Sequence, residues 1–328
     1  MVEQAQYRGR MARALSVQRC VAILVGSVVL AAGCGTGQTE SGSGTSPLAS
    51  PVPVNEAGCR AEPIGPTTYR YVDRAGVNPA LTSLDVYLPA GCDPVPVVVW
   101  VHGGGWRAGS KSSDSTRTKA AWANQQGLAL VALNYRLSTP GAGVVWPDHS
   151  DDVAAGLSWI GREGPALGLD PSSVVLIGHS AGAHLVTLAV TNAELVEAAG
   201  LGGGLRCVVA LDSASFDLAT SRANSTGLVA NAFGSDPKVI AEASPLVQVV
   251  AGGPVTVPLL VVTRGPAVWM AAAETFVDAV NTAGGSATLV EANPYSHGEV
   301  NNQLGAEGEE LVTTPVTRFV TDCLNLPR

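Results

Sequence analysis

The sequence predicts an α/β fold with a doubly wound, mostly parallel sheet, and two features of its pattern lead to this prediction. Continuous apolar runs rich in Val and Leu are bounded by Gly, Pro or Asp, which is typical of strands covered on both faces; they occur at residues 95–101, 128–133, 174–177, 208–211 and 259–262. Segments with helical spacing alternate with these runs, at residues 113–126, 151–162, 181–191 and 270–283. Because strands and helices alternate along the chain, the strands are expected to be parallel with helices on both faces.

The remaining elements extend this core at both ends. Residues 69–72 and 84–88 alternate in polarity and are predicted to form early antiparallel strands. Residues 287–291 are predicted as the last strand and residues 309–324 as the last helix. The connection at residues 213–257 has weak periodicity, and a connection of this length in a compact domain is usually functional. We expect it to form a small cap over the site.

The N-terminal segment has the features of an export signal. Four arginines precede the apolar run at residues 21–32, which ends at Gly33 and Cys34, so residues 1–33 are predicted to be a signal peptide. The sequence Leu-Ala-Ala-Gly-Cys at residues 30–34 resembles a bacterial lipobox, which would make Cys34 a lipid-modified first residue of an exported, membrane-anchored protein. An ordinary cleaved signal and an uncleaved anchor are the alternatives.

Composition divides the rest of the chain into a tether and one domain. Residues 34–58 are rich in Gly, Ser, Thr and Pro and are predicted to be a flexible tether. Residues 59–328 have a length typical of one α/β domain. The chain has 19 basic and 27 acidic residues, and outside residues 1–33 it has 15 and 26. This negative balance argues against a nucleic-acid partner.

Four cysteines fall in the predicted domain, and an even number in an exported protein indicates disulfides. None has the close spacing of a zinc site, and nothing in the sequence predicts a metal or a cofactor. Cys92 begins a central predicted strand, and Cys59 precedes the first strand at that same end of the sheet. Cys207 begins another strand at that end, where the last helix, with Cys323, is expected to finish. We therefore predict the pairs Cys59–Cys92 and Cys207–Cys323.

The motif Gly-His-Ser-Ala-Gly at residues 178–182 is a candidate nucleophile turn. It follows the apolar run at 174–177 and opens a segment with helical spacing, and a sharp strand–turn–helix arrangement exposes the central serine of such a motif. Side chains larger than hydrogen at 178 and 182 would collide with the flanking strand and helix. Ser180 is therefore the predicted nucleophile.

The motif His-Gly-Gly-Gly-Trp at residues 102–106 directly follows the run at 95–101. Glycines let a backbone turn its amides inward, and two or three such donors stabilise the oxyanion that forms in acyl transfer. We assign the backbone N–H groups of Gly103, Gly104 and Ala181 to this role.

Of the five histidines, His297 is the predicted general base. It follows the last predicted strand, and the chain order of serine before histidine is the order that this arrangement uses. His102 belongs to the glycine turn, His179 flanks the nucleophile, His184 faces the helix after it, and His149 precedes the helix at 151–162.

Together these motifs resemble those of bacterial α/β-hydrolase-fold carboxylesterases related to hormone-sensitive lipase and to the feruloyl and acetyl esterase group. The likeness includes Trp-Pro-Asp at 146–148 before a helix with Asp152 and Trp159. It also includes Gly-Leu-Asp-Pro at 168–171 and Ala-Ser-Pro-Leu at 243–246. The resemblance implies hydrolysis of a small carboxylic ester through an acyl-enzyme. A peptidase or amidase of the same fold and a non-catalytic binding protein are the alternatives.

The chain departs from this family at the acidic residue that orients the catalytic histidine. Such enzymes usually carry it in the loop after the strand equivalent to 259–262, but residues 263–268 here contain no carboxylate. Asp212 is the first candidate because it ends the preceding strand, and neighbouring strand ends lie only about 5 Å apart. Glu274, which would have to reach back from a helix, and a Ser180–His297 dyad are the alternatives. Asp217 is expected to cap or pack within the cap segment.

Overall fold

The computed structural model describes residues 59–326 except residues 61, 202, 254 and 256. The predicted signal peptide, Cys34 and the whole of the predicted tether lie outside the described residues.

An eight-stranded sheet forms the centre of the domain. The strands of the described residues are β1 (Cys59–Arg60), β2 (Ile64–Arg70), β3 (Ser83–Leu88), β4 (Gly91–Cys92), β5 (Val95–Val101), β6 (Ala129–Leu133), β7 (Leu169–His179), β8 (Leu205–Leu211), β9 (Leu259–Thr263) and β10 (Ala287–Glu291). The sheet order is β10-β9-β8-β7-β5-β6-β3-β2, and β1 pairs with β4 in a separate ribbon. The pairs β2–β3 and β3–β6 are antiparallel, and all the other pairs of the sheet, including β5–β6, are parallel. The predicted fold class is confirmed.

The residues of β5 show why the apolar runs form central strands. Successive side chains of a strand point to opposite faces, so a strand that is covered twice must be apolar at every position. Val97 and Val99 lie in one hydrophobic core and Val98 and Trp100 in the other, each no more than 1% exposed. The sheet therefore separates two cores, and each core requires its own layer of helices.

Eleven α-helices surround the sheet in the part of the chain that the structure describes. They are α1 (Asp114–Gln125), α2 (Asp148–Glu163), α3 (Ala181–Thr191), α4 (Ala193–Ala199), α5 (Arg222–Ser225), α6 (Leu228–Phe233), α7 (Pro237–Glu242), α8 (Pro245–Val250), α9 (Ala267–Thr282), α10 (His297–Gln303) and α11 (Thr313–Leu324). Helices α2, α3 and α9 bury Leu157, Leu185 and Phe276 in one core. Helices α1 and α11 bury Trp122 and Val316 in the other.

Several elements differ from the sequence prediction. The last helix begins at Thr313 rather than at 309, because the Glu309 carboxylate accepts the backbone N–H groups of residues 311–313 and fixes a turn there. Helix α2 begins at Asp148, so His149 lies inside it and not before it. Helix α10, which begins at His297, was not predicted. In addition, the predicted cap at 213–257 contains four short helices, α5 to α8.

Both predicted disulfides are present. Cys59–Cys92 joins β1 to β4, and Cys207–Cys323 joins β8 to α11 across 116 residues of sequence. Within the described residues, none of the helices combines the length and the apolar character needed to cross a membrane.

Candidate active site

The residues singled out by the sequence meet at the carboxyl ends of the parallel strands. Ser180 follows β7, Asp212 follows β8, the glycine turn follows β5, and His297 lies in the connection after β10. The ladder aligns His179 of β7 with Leu211 of β8, so Ser180 and Asp212 emerge side by side. Ligands of open α/β sheets bind outside this edge.

Ser180 lies on a sharp, strained turn between β7 and α3. Its φ of 55° and ψ of −117° fall in a region that non-glycine residues rarely adopt. The turn is crowded: a Cβ at Gly178 would overlap the backbone of Gly182, and one at Gly182 would overlap the carbonyl of Val101. The two glycines thus let the strand and the helix approach closely enough for the serine side chain to project above the sheet, as the sequence predicted.

His297 connects Ser180 to Asp212. Its Nε2 lies 3.0 Å from Ser180 Oγ and its Nδ1 lies 2.6 Å from Asp212 Oδ2. Because an ionised carboxylate only accepts hydrogen bonds, the proton of the neutral ring lies on Nδ1, and Nε2 is free to accept from the serine hydroxyl. The three side chains have the geometry of a Ser–His–Asp triad.

Asp212 contacts His297, whereas Glu274 does not. The Asp212 side chain is only 1% exposed, its φ is 47°, and its N–H donates to Val262 O at 2.7 Å. Glu274 lies exposed on α9. Asp217 accepts hydrogen bonds from Ala219 N and Thr220 Oγ1, which makes it a turn cap in the cap segment, as expected.

The glycine turn lies directly against the nucleophile. A Cβ at Gly103 would come within 3.1 Å of Ser180 Cβ, and Gly104 has a φ of +121° that favours glycine. Among the described residues, the backbone N–H groups of Gly103, Gly104 and Ala181 have no hydrogen-bond acceptor. Ala181 N–H is also the first N–H of α3, where the helix dipole favours negative charge.

Two buried side-chain contacts hold this turn in place. The hydroxyl of Tyr135 donates to His102 O at 3.0 Å, and the two rings stack at 4.5 Å. On the other side, Trp106 Nε1 donates to His184 Nδ1 at 3.3 Å, while His184 Nε2 lies 2.7 Å from Ala243 O. His184 is therefore neutral and protonated at Nε2, and its burial lowers its pKa to about 4. This chain of contacts joins the turn to α3 and to the cap.

His179 lies beside the reacting groups but outside the hydrogen-bonded chain. Its Nε2 is 3.0 Å from His297 O, and its ring centroid is 4.5 Å from that of His297. Burial, and then the neighbouring His297, lower the pKa of His179 to about 3. A neutral His179 donates to the main chain of His297 and leaves no positive charge next to it.

His179, Asp212 and His297 each offer a metal-ligating atom, and these atoms lie within 4.8 Å of one another. All three residues are engaged in hydrogen bonds with Ser180, with one another or with the main chain, as described above. The Asp212 and His297 atoms that a cation would use therefore overlap with those that connect the triad, whereas His179 Nε2 faces the main chain of His297.

A cavity of about 200 Å³ opens at Ser180 and His297. The cap contributes part of its wall, and Trp269, from α9, contributes another part; the further lining residues include Ser213, Ser215, Ser221, Thr226 and Leu228. The wall combines apolar surface with several hydroxyl groups.

One feature of the site was missed at the sequence level. Arg264, from the loop after β9, donates through Nε to Asp212 Oδ2 at 2.7 Å, and its guanidinium lies 4.7 Å from the centroid of the Trp269 ring. The sequence shows only that this loop lacks a carboxylate. The contact between Arg264 and Asp212 arises because the ends of β9 and β8 lie side by side, which the local sequence does not show.

The sheet order, the strained turn and the three-residue constellation define an α/β-hydrolase-fold protein with a Ser–His–Asp triad geometry. The BD-FAE family model matches residues 84–263, more than half of the chain. The chain belongs to this family.

Individual relatives agree with this assignment. The chain is 37% identical to mouse Carboxylesterase 1F over 117 residues, covering 33% of this chain and 20% of that protein. It is 36% identical to Carboxylesterase NlhH of Mycobacterium tuberculosis over 93 residues, 28% of each chain. The chain thus spans between a fifth and a little over a quarter of the length of these curated relatives.

Solved structures share the fold. Esterase B from Lactobacillus Rhamnosis has a TM-score of 0.65 at 22% identity, covering 81% of this chain and 87% of its own. Esterase 2 of Thermogutta terrifontis, phosphoramylated by tabun, has a TM-score of 0.65 at 23% identity, and the match covers 80% of this chain and 97% of that chain.

Proposed function

We propose that the protein is a serine esterase that hydrolyses small carboxylic esters. The observation that carries the proposal is the continuous chain from Asp212 through His297 to Ser180, with distances of 2.6 and 3.0 Å, at the opening of a cavity. The named relatives, carboxylesterases and esterases, support the same class of reaction.

In the first half-reaction, His297 Nε2 takes the proton of Ser180 as Oγ bonds to the acyl carbon. The carbonyl oxygen becomes an oxyanion held by the N–H groups of Gly103, Gly104 and Ala181, and each such donor is worth about 3 kcal/mol. When the intermediate collapses, the bond to the alcohol oxygen breaks and the imidazolium gives its proton to that oxygen. Asp212 is the group that orients His297 and stabilises its imidazolium.

In the second half-reaction, water replaces the alcohol. His297 takes a proton from the water as it attacks the acyl carbon, and returns a proton to Ser180 as the acyl bond breaks. The net result is one ester and one water converted to one acid and one alcohol. The cavity of about 200 Å³ favours a short acyl group over a long lipid chain.

A labelling experiment tests this proposal. A fluorophosphonate probe should label the wild-type protein and p-nitrophenyl acetate should be hydrolysed, whereas Ser180→Ala should lose both. Ser172→Ala is the matched control, because Ser172 is exposed at the start of β7 and remote from the carboxyl ends of the strands. A wild-type protein that is neither labelled nor active would favour the binding role instead.

We also propose that the protein is exported, either secreted or anchored through a lipid on Cys34. Disulfides persist mainly in oxidising compartments, and the two disulfides of this domain support export. Under this proposal the partner is a small ester, and any membrane contact is made through the lipid anchor.

A further inference from the structure

We propose that Arg264 is a positioning residue of this site: it provides the fixed positive charge that keeps Asp212 an ionised acceptor for His297. The inference rests on the proposed function and goes beyond it, because it assigns a role to the loop in which the family usually carries its acid.

The first step concerns the burial of Asp212. Its side chain is 1% exposed, and its Oδ1 atom is buried without a hydrogen-bond partner among the described residues. Oδ2 therefore accepts both of the observed hydrogen bonds, one from His297 Nδ1 and one from Arg264 Nε. A buried carboxylate is costly unless it is paired, and a neutral imidazole offers no charge to pair with. Arg264 is the cation that meets this need.

The second step concerns how Arg264 is held. Its side chain is 13% exposed, so water screens its contact with Asp212 only weakly. The guanidinium lies over the indole of Trp269, and the same indole makes an edge contact with the ring of His297, with centroids 5.9 Å apart. Trp269, which lines the cavity, thus contacts both the cation and the base.

The third step is chemical. If Asp212 were protonated, it would donate to His297 Nδ1, and the ring proton would have to lie on Nε2. An Nε2 that carries a proton cannot accept one from Ser180. By keeping the shared proton on Nδ1, Arg264 keeps Nε2 available. The Arg264 and His297 nitrogens contact one oxygen at 2.7 and 2.6 Å, so they are close enough for the cation to oppose uptake of an extra proton by the pair.

The other charged and titratable groups around the pair do not replace this cation. His179, at the end of β7, is neutral because burial lowers its pKa to about 3. Lys119 of α1 is directed to main-chain carbonyls of Ser115 and Asn301. Glu299, in the first turn of α10, is exposed and caps Ser296.

The test is the pH–rate profile of Arg264→Gln. We expect kcat at pH 7 to fall about 10- to 100-fold with KM within about twofold. We also expect the acidic limb of the profile to move to higher pH by about one unit, because the Asp212–His297 pair then takes up a proton more readily. Arg264→Lys keeps the charge and should keep the limb at the wild-type pH. A purely structural role would lower activity evenly across pH and would leave the limb in place.

Two controls separate this effect from misfolding. Arg318→Gln is the matched variant, because Arg318 is exposed on α11, and it should behave as wild type. In Arg264→Ala, added guanidinium ion should restore activity where the same concentration of sodium chloride does not. An Arg264→Gln profile that coincides with wild type, or an Arg264→Ala variant that guanidinium fails to rescue, overturns this inference alone. A wild-type protein without labelling or turnover overturns the proposed function.

Discussion

Ser180 and Asp212 share an unusual property at the residue scale, since both hold a positive φ, 55° and 47°, without being glycine. Such conformations cost about 1–3 kcal/mol each and persist only where the surrounding structure imposes them. Here the pairing of the three neighbouring strands imposes them: Ser180 N donates to Leu211 O of β8, and Asp212 N donates to Val262 O of β9. The two strained residues are thus the two ends of the hydrogen-bonded chain through His297.

Substitution of the acid gives a direct prediction at this scale. Asp212→Asn should lower kcat by about two to four decades, because an amide can donate to His297 Nδ1 and so favour the wrong tautomer. Steady-state kinetics with p-nitrophenyl acetate would measure this loss. Glu274→Gln should leave turnover unchanged; a large loss in that variant instead would transfer the role of the acid to α9.

The sequence identified the residues that the structure brings together, and their catalytic roles stay predictions. Ser180 and the glycine turn have local motifs, and His297 follows from chain order. Asp212 followed only from the adjacency of two strand ends. Arg264 and Trp269 had no local signal, because their contacts arise from packing between separate loops.

At the element scale, α10 illustrates where sequence patterns fail. The helix has seven residues and includes glycine and two asparagines, which are poor helix formers. Its stability comes from a capping box between Ser296 and Glu299 at one end and from Lys119 Nζ, which donates to Asn301 O at 2.6 Å, near the other. A long-range anchor of this kind has no periodic signature. The four cap helices were missed for the same reason, since such short helices depend on tertiary contacts.

Lys119 of α1, which anchors α10, gives the prediction at the element scale. It is fully buried, lies over the Trp100 ring at 4.5 Å, and burial lowers its pKa from 10.5 to about 7. Between pH 7 and 10 the unfolded chain binds a proton at this lysine that the folded protein lacks. Stability should therefore rise with pH in this window, by up to about 1.4 kcal/mol per unit.

The measurement compares urea unfolding of wild type and Lys119→Met from pH 6 to 9.5. The difference in unfolding free energy between the two proteins should grow in favour of wild type above pH 7. Above pH 10, buried Tyr71 and Tyr135, whose pKa values burial raises, act in the opposite sense. Parallel curves between pH 7 and 9.5 would contradict the prediction.

At the scale of the whole molecule, the sheet was the most predictable part. Its central strands must be apolar on both faces, and that requirement is visible in the sequence as uninterrupted Val and Leu runs. The two disulfides could be predicted because strand direction, together with the expected end of the last helix, places their cysteines at one end of the sheet. Boundaries such as the start of α11 could not, because a single carboxylate, Glu309, fixes them through its own hydrogen bonds.

Four buried histidines set the response of the whole domain to acid. Burial lowers the pKa of each from 6.5, to about 3 for His179 and to about 4 for His102, His149 and His184. Between these values and 6.5 the unfolded chain binds protons that the folded protein does not. Stability is therefore complete above pH 6.5 and is lost as the pH falls, by about 1.4 kcal/mol per pH unit for each proton bound.

Urea titrations at pH 7, 6 and 5 would measure this loss. Near pH 5, the slope of unfolding free energy against pH should approach the value expected when several protons are taken up on unfolding. A slope corresponding to one proton or fewer would mean that most of these histidines are already charged in the folded protein.

The placement of nucleophile and acid on adjacent, directly hydrogen-bonded strands has a consequence for protein engineering. Their separation is set by the sheet itself, so the connection after β9 can be rebuilt without altering it. Residues 265–268 form the start of that connection and of α9, next to the Trp269 wall of the cavity. Under the proposed function, and if Arg264 is retained, this short stretch is the place to introduce sequence diversity that changes which esters enter, while Ser180 and Asp212 keep their spacing.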